Sequence, residues 1–353
     1  MIRAATFVSR HFTGFACLAY LIGWVERVAE MVLHDGPLWA LRSNNLTQYF
    51  VTYWDHGFAK RALVGTVLRP LLLAVDRPEL WAFWIMVALN VAGFAGVLWL
   101  VRRHLPHDPA GGVPAILRAA LAVGSVGVVQ IAHDYGRLDL INYGVLALAL
   151  WLSLRRRAWA AGLAGAAGIL IHEAFAIYAV PLILATAWRA APPGRWLVAA
   201  GAVVLPAATA ALAVLAYGNS GAAAALDIGT GAYVWQRGLI EIGWTMPLLQ
   251  ALILALYWLA LLTLLFGDLR PGTARPDLLT LAALSPAALN LFGIDHGRWL
   301  TIAVLIAATA LTLRARHFGH PWPNLSRRQK QLACLLALPL GPHGVTGAWT
   351  WMF

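Results

Sequence analysis

Four short motifs concentrate acids, imidazoles and guanidinium groups in a chain that is otherwise apolar. YWDHGFAKR supplies Asp55, His56, Lys60 and Arg61, and HDYGRLD supplies His133, Asp134, Arg137 and Asp139. IHEAF supplies His172 and Glu173, and DHGRW supplies Asp295, His296 and Arg298. Carboxylates and imidazoles move protons near neutral pH. Guanidinium forks match phosphate oxygens. A site holding both can deprotonate an incoming hydroxyl and hold a departing phosphate. Asp55, His56, His172 and Glu173 are the candidates for the chemistry. Lys60, Arg61, Arg137 and Arg298 are the candidates for binding phosphate. His133, Asp134, Asp139, Asp295 and His296 stand as supporting groups. Among the acids Asp55 is the first choice of base, because it lies in a loop open to water, and His56 is the second.

Glu173 is the hardest of these to dismiss, because no other charge occurs between Arg157 and Arg189. An ionisable group at the centre of a bilayer costs on the order of 2.5–3.5 kcal/mol, so it faces a bundle interior or a wet cavity and has a partner. Any of the outer arginines can be that partner. The tetrad Asp-aromatic-Gly-Arg recurs as Asp134–Arg137 and Asp295–Arg298, with Asp55-His56-Gly57 as a partial copy. A helix-ending glycine there permits left-handed backbone and close approach of a ligand. The same pairs also read as capping salt bridges, and the histidines as residues of the membrane interface.

The elements that must position these motifs follow from composition. Of 353 residues, 61% are hydrophobic and only 12% charged, with a mean hydropathy of +0.71. Globular chains carry about 25% charged residues, so a membrane is the solvent this sequence fits. Apolar blocks predict eleven crossings, at about 12–33, 80–101, 115–132, 140–154, 158–171, 174–188, 195–216, 245–266, 277–293, 299–313 and 331–348. The fold class is therefore all-α and polytopic, a single integral-membrane domain over residues 1–353. Residues 61–75, interrupted by Arg69-Pro70, read as an interfacial helix within the outer loop 34–79. A second outer loop covers 217–243 and a basic inner loop 314–330. Arg3 and Arg10 precede the first block without a small-residue cleavage site, which reads as an uncleaved span.

Charge sets the expected orientation. With the N-terminus inside, 17 of the 26 lysines and arginines fall on inner segments, while 12 of the 15 acids fall outside. That asymmetry is what the positive-inside rule predicts. It puts all four motifs on the non-cytoplasmic face, and the expected location is a bacterial inner membrane with the site toward the periplasm. The same arginines account for the net charge of +11, and no basic domain is left for nucleic acid. Cys17 and Cys334 sit in apolar stretches and suggest neither a disulfide nor a metal cluster. Trp81, Trp84, Trp235, Trp244, Trp299, Trp349 and Trp351 fit an aromatic belt at the interface.

Asp55 in the first outer loop, followed by the apolar stretch 61–75, resembles the layout of the GT-C class of membrane glycosyltransferases and of Wzy-type polysaccharide polymerases. The resemblance covers topology along most of the chain but only this one motif. His56 stands where many of those enzymes carry a second acid, and no large soluble C-terminal domain is present. The resemblance implies sugar transfer from a polyprenyl-phosphate or polyprenyl-pyrophosphate donor, with a glycan acceptor, membrane lipid and polysaccharide-assembly proteins as partners. No cofactor is required by this reading, although a divalent cation, Mg²⁺ or Mn²⁺, is an option with no fixed ligand set. Two other classes stay open. A transporter or flippase can use the same charges to bind an anionic substrate, and a metal-dependent intramembrane hydrolase can act on lipid esters or amides.

Overall fold

A computed structural model describes the chain at residues 1–35, 44–217, 248–267, 277–292 and 295–339. Among these residues the chain is all-helical, without strands. The outer loop beyond Tyr217, the predicted span 331–348 beyond residue 339, and Trp235, Trp244, Trp349 and Trp351 lie outside the described residues.

Among the described residues five helical stretches are long and apolar enough to cross a membrane: Phe12–Ala29, Pro78–His104, Val113–His133, Trp196–Tyr217 and His296–His317. Each falls within a few residues of an expected span. Three of them carry large apolar side chains in the open, such as Leu21 and Val25 on the first, Trp84 and Val91 on the second and Leu205, Leu212 and Leu215 on the fourth. Soluble surfaces rarely expose such continuous apolar area; this is a membrane protein. Six more apolar helical stretches are shorter, from Ala62–Leu73 to Leu278–Leu291. At 1.5 Å per residue, Ala158–Ile171 covers only about 21 Å, less than the roughly 30 Å of hydrocarbon.

Several expected spans are built differently from a plain helix; two show the reasons most clearly. The stretch read as 115–132 breaks between Val113–Val123 and Val128–His133. A Cβ at Gly124 would strike the carbonyl oxygen of Leu336, and one at Gly127 the carbonyls of Ala120 and Leu121. The freed Ser125 N–H donates to the Leu338 carbonyl at 3.0 Å. The stretch read as 331–348 begins as a helix at Arg327–Ala333, capped by Ser326 and Gln329, and continues as a 3₁₀ turn at Cys334–Ala337. The stretch read as interfacial is a helix at Ala62–Leu73 that runs through Pro70 rather than stopping there.

The chain forms two compact units. The first comprises Met1–Arg27, Phe94–Asp134 and Trp235–Phe353. Its centre is His296–His317, buried along nearly its whole length, together with Val113–Val123. Arg118 on the latter helix donates to the carbonyls of Ser9, Val101 and Leu105 and stacks over Phe12. One guanidinium thus satisfies orphan carbonyls at two helix ends.

The second unit comprises Val28–Gly93 and Tyr135–Val234. Helices Ala158–Ile171 and Trp196–Tyr217 make its most extensive contact. A Cβ at Gly162 would meet the Ala202 carbonyl, so the absence of a side chain sets how closely these backbones approach. A separate core joins Leu46, Tyr49 and Val64 to Met86, Tyr135, Leu138 and Ile171. This core ties the first loop to the end of Ala158–Ile171.

Candidate functional site

The site grows from that core. Ile171 is the last residue of its helix, and the next two residues are His172 and Glu173. His172 adopts extended backbone, and the chain resumes helix at Phe175–Tyr178. The break leaves little backbone unsatisfied. The His172 N–H donates to Gly168, the Ala174 N–H to His172 Nδ1 at 3.2 Å, and the Phe175 N–H to the His172 carbonyl. Non-helical backbone at membrane depth is tolerated only on such terms. A Nδ1 that accepts a hydrogen bond leaves the imidazole proton on Nε2 when the ring is neutral.

Glu173 receives Arg61. The guanidinium Nε donates to Oε2 at 3.0 Å and a terminal nitrogen to Oε1 at 2.5 Å, across 112 positions of sequence. The Arg61 side chain is 16% exposed and that of Glu173 34%, so the pair is half sheltered from water. Arg61 is also one of two non-glycine residues with left-handed backbone among the described residues, at φ 65°. Such a conformation costs a residue with a Cβ roughly 1–2 kcal/mol. It starts the helix Ala62–Leu73 and turns the arginine toward Glu173.

The same loop holds Asp55. Thr52 caps the short helix Tyr53–His56, accepting from the Asp55 N–H at 3.0 Å and donating its hydroxyl to the carboxylate at 2.6 Å. Arg69 donates to the other carboxylate oxygen at 2.8 Å. The Thr52 hydroxyl lowers the Asp55 pKa first, partial burial opposes it, and the charge and hydrogen bond of Arg69 and the nearby His56 lower it further. Asp55 is therefore ionised throughout the neutral range. The Lys60 pKa is lowered as well, but chiefly by burial, with Glu173 opposing that and Arg61 adding to it. The His56 ring folds back on its own turn, with Nδ1 3.2 Å from the Thr52 carbonyl. Gly57 follows at φ 67°, ψ −159°, a conformation essentially restricted to glycine.

Thr66 fixes this loop to the helix behind it. The Tyr53 N–H donates to the Thr66 hydroxyl at 2.8 Å, and Thr66 donates to Ala62. Gly65 lies against the carbonyls of Val51 and Tyr49, where a Cβ would collide with the Val51 oxygen. Gly65→Ala is expected to push the helix off the loop and lower stability by about 1–3 kcal/mol, the cost of overpacking. A melting curve of the purified protein measures it; an unchanged midpoint would show that the loop is not held in this way.

Other expected site residues fall as follows. Asp139, fully buried, begins the helix Asp139–Leu154 with one oxygen 3.5 Å from the Tyr178 hydroxyl. Arg137 belongs to the same unit. In the other unit, His133 Nε2 lies 3.4 Å from Glu26, and buried Asp134 accepts from Gln130 at 3.0 Å. Arg298 pairs with Asp295 at 2.9 Å, three residues apart, and stacks over Trp299 at 4.0 Å. His296 Nδ1 lies 3.0 Å from the Asn290 amide oxygen. The repeated tetrad is not a repeated geometry: Gly136 is left-handed between helices, whereas Gly297 sits inside the first turn of His296–His317.

Sequence reasoning missed Arg69 and Thr52. The Thr-x-x-Asp spacing of 52–55 is a capping signature, but nothing in the sequence joins Arg69 to Asp55. Among the described residues no three His, Cys, Asp or Glu side chains gather to hold a metal ion. No protein-family model, curated protein or solved structure matches the chain.

Proposed function

We propose that this chain is an integral-membrane glycosyltransferase or polysaccharide polymerase that takes sugar from a polyprenyl-phosphate or polyprenyl-pyrophosphate donor. The reading places the protein in a bacterial inner membrane with its site toward the periplasm, and has the shorter apolar helices complete the crossings. It is supported by one observation above the others: Arg61, beside Asp55, His56 and Lys60 in the first loop, clasps Glu173 at a helix break 112 positions away. Lys60, Arg61, His172 and Glu173 thus share one locality, and Asp55 and His56 belong to the same first loop as Arg61.

In this reading Asp55 accepts the proton of the acceptor hydroxyl as the glycosidic bond forms. A carboxylate held below its ordinary pKa is a weak base but is always in the basic form, which suits a proton transfer late in the reaction. Lys60 and Arg61 face the leaving phosphate, with Glu173 fixing the fork of Arg61 and His172 fixing the turn that presents Glu173. Arg137, in the same unit, is a further phosphate contact. The lipid tail lies along the exposed apolar helix faces. Purified protein in liposomes, given polyprenyl-linked sugars and a glycan acceptor, is expected to consume the lipid-linked sugar. Absence of turnover of any such donor by folded protein overturns the proposal.

A second reading has a specific observation behind it. Broken helices are typical of transporters, which bind substrate at the interruption, and Gly124–Gly127 and His172–Ala174 are two such breaks. The two readings part on one readout. A flippase moves fluorescent lipid-linked sugar between leaflets without changing its mass, and a transferase changes the mass.

A further inference from the structure

Helix Pro78–His104 ends in Arg102-Arg103-His104. Along its last turns Ala95, Leu98, Trp99, Arg102 and Arg103 line a shallow groove of about 450 Å³. Their spacing of three and four residues puts them on one helix face. The groove floor is apolar at one end and cationic at the other. Trp99 is 61% exposed, with its ring edge-on to His104 at a centroid distance of 5.1 Å. Arg316 and His317, at the end of helix His296–His317, stand close enough to His104 to act on its charge, as Arg103 does.

Among the described residues no carboxylate pairs with Arg102, Arg103 or Arg316. Asp108, the nearest acid along the chain, turns its oxygens onto the backbone N–H groups of Ala110 and Gly112. Like charges gathered without an acid repel one another until an anion is supplied. An exposed tryptophan beside them marks the level of the lipid head groups.

We infer that this groove is a binding site for an anionic phospholipid. The lipid phosphate lies between Arg102 and Arg103, within the field of Arg316, and an acyl chain runs along Leu98 and Ala95 beside Trp99. Basic pockets at the ends of membrane helices recognise anionic head groups in this way. A free phosphate would leave the apolar floor uncovered, so the occupant is the lipid and not the ion. The groove shares no residue with the Arg61–Glu173 pair and takes its lipid whatever reaction occurs there.

Purified full-length protein in a neutral detergent is titrated with phosphatidylglycerol, with phosphatidylcholine and with inorganic phosphate, and bound lipid is counted by native mass spectrometry. Phosphatidylglycerol is expected to bind at least tenfold more tightly than phosphatidylcholine, and phosphate is expected not to compete. R102Q/R103Q should weaken phosphatidylglycerol at least tenfold, and Trp99→Ala severalfold. R327Q/R328Q removes the same charge from exposed positions of the same unit and should change affinity less than twofold. Equal losses in the two double variants would show a diffuse charge effect and overturn the site. Competition by inorganic phosphate, or retention of lipid by R102Q/R103Q, would overturn it as well. All three variants change exposed side chains, and an unaltered melting midpoint confirms that each is folded.

Discussion

Arg61→Ala and Glu173→Gln are each expected to destabilise the protein by about 2–3 kcal/mol, and the double variant by little more than either alone. Breaking a fully buried ion pair costs about 3–5 kcal/mol, and the 34% exposure of the Glu173 carboxylate reduces that figure. Two hydrogen bonds to charged groups give a coupling energy on the order of 2 kcal/mol. In a chain of this size that is a fall of roughly 5 °C in the melting midpoint. The cycle also carries a pH signature. Burial pushes the Glu173 pKa up, but Arg61, His172 and Lys60 outweigh it and hold the carboxyl well below its ordinary value of 4.5. A depressed carboxyl adds stability that is present above the unfolded pKa and lost as pH falls through the folded one. The penalty of Glu173→Gln should therefore be full at pH 6–7 and shrink progressively below about pH 4.5. A penalty of equal size at pH 3.5 and pH 7 would mean that the pair does not hold Glu173 ionised.

The need for a partner to Glu173 was legible in the sequence, because one acid in a long uncharged run must be compensated. Which arginine answers it was not. That choice is made by packing: Leu46, Tyr49 and Val64 of the first loop share a core with Ile171, and this carries Arg61 to the residue two places beyond Ile171. No spacing rule encodes such a contact. Arg69 was obscured for a related reason, since the adjacent Pro70 reads as an interruption, yet the helix continues through it and aims Arg69 at Asp55.

The lengths of the apolar blocks located the long helices well, because crossing length and composition are local properties. It did not show the break at Gly124–Gly127, because the Gly-Ser-Val-Gly stretch is too short to interrupt an apolar block. The cause is a carbonyl from Leu336 lying where a side chain would be, and a distant segment taking the Ser125 N–H. The repeated tetrad misled in the opposite direction. The similar tetrads around Gly136 and Gly297 suggested one shared geometry, but the first glycine terminates a turn while the second lies within a helix, where Arg298 reaches back to Asp295 as the capping alternative had it.

Asp55→Asn is expected to lower the rate of sugar transfer by about 10²–10⁴-fold, the usual contribution of a positioned base. Stability should hardly change, since the Asp55 and Arg69 side chains are 45% and 37% exposed and surface pairs add little. This combination separates a chemical role from a structural one. Asparagine keeps the shape and still accepts from Thr52, but it cannot take a proton. Arg69→Gln makes the complementary test: freed of that guanidinium, Asp55 moves up toward its ordinary pKa of 3.8 and becomes a better base. Its acid limb in the pH–rate profile should shift upward while turnover at neutral pH is retained. His56→Asn should cost less than Asp55→Asn, because the ring is already turned onto Thr52. If Asp55→Asn keeps more than a tenth of wild-type turnover and His56→Asn does not, the base is the imidazole. If neither variant slows transfer, the first loop does not hold the base, and the carboxylate on Arg61 becomes the group to test.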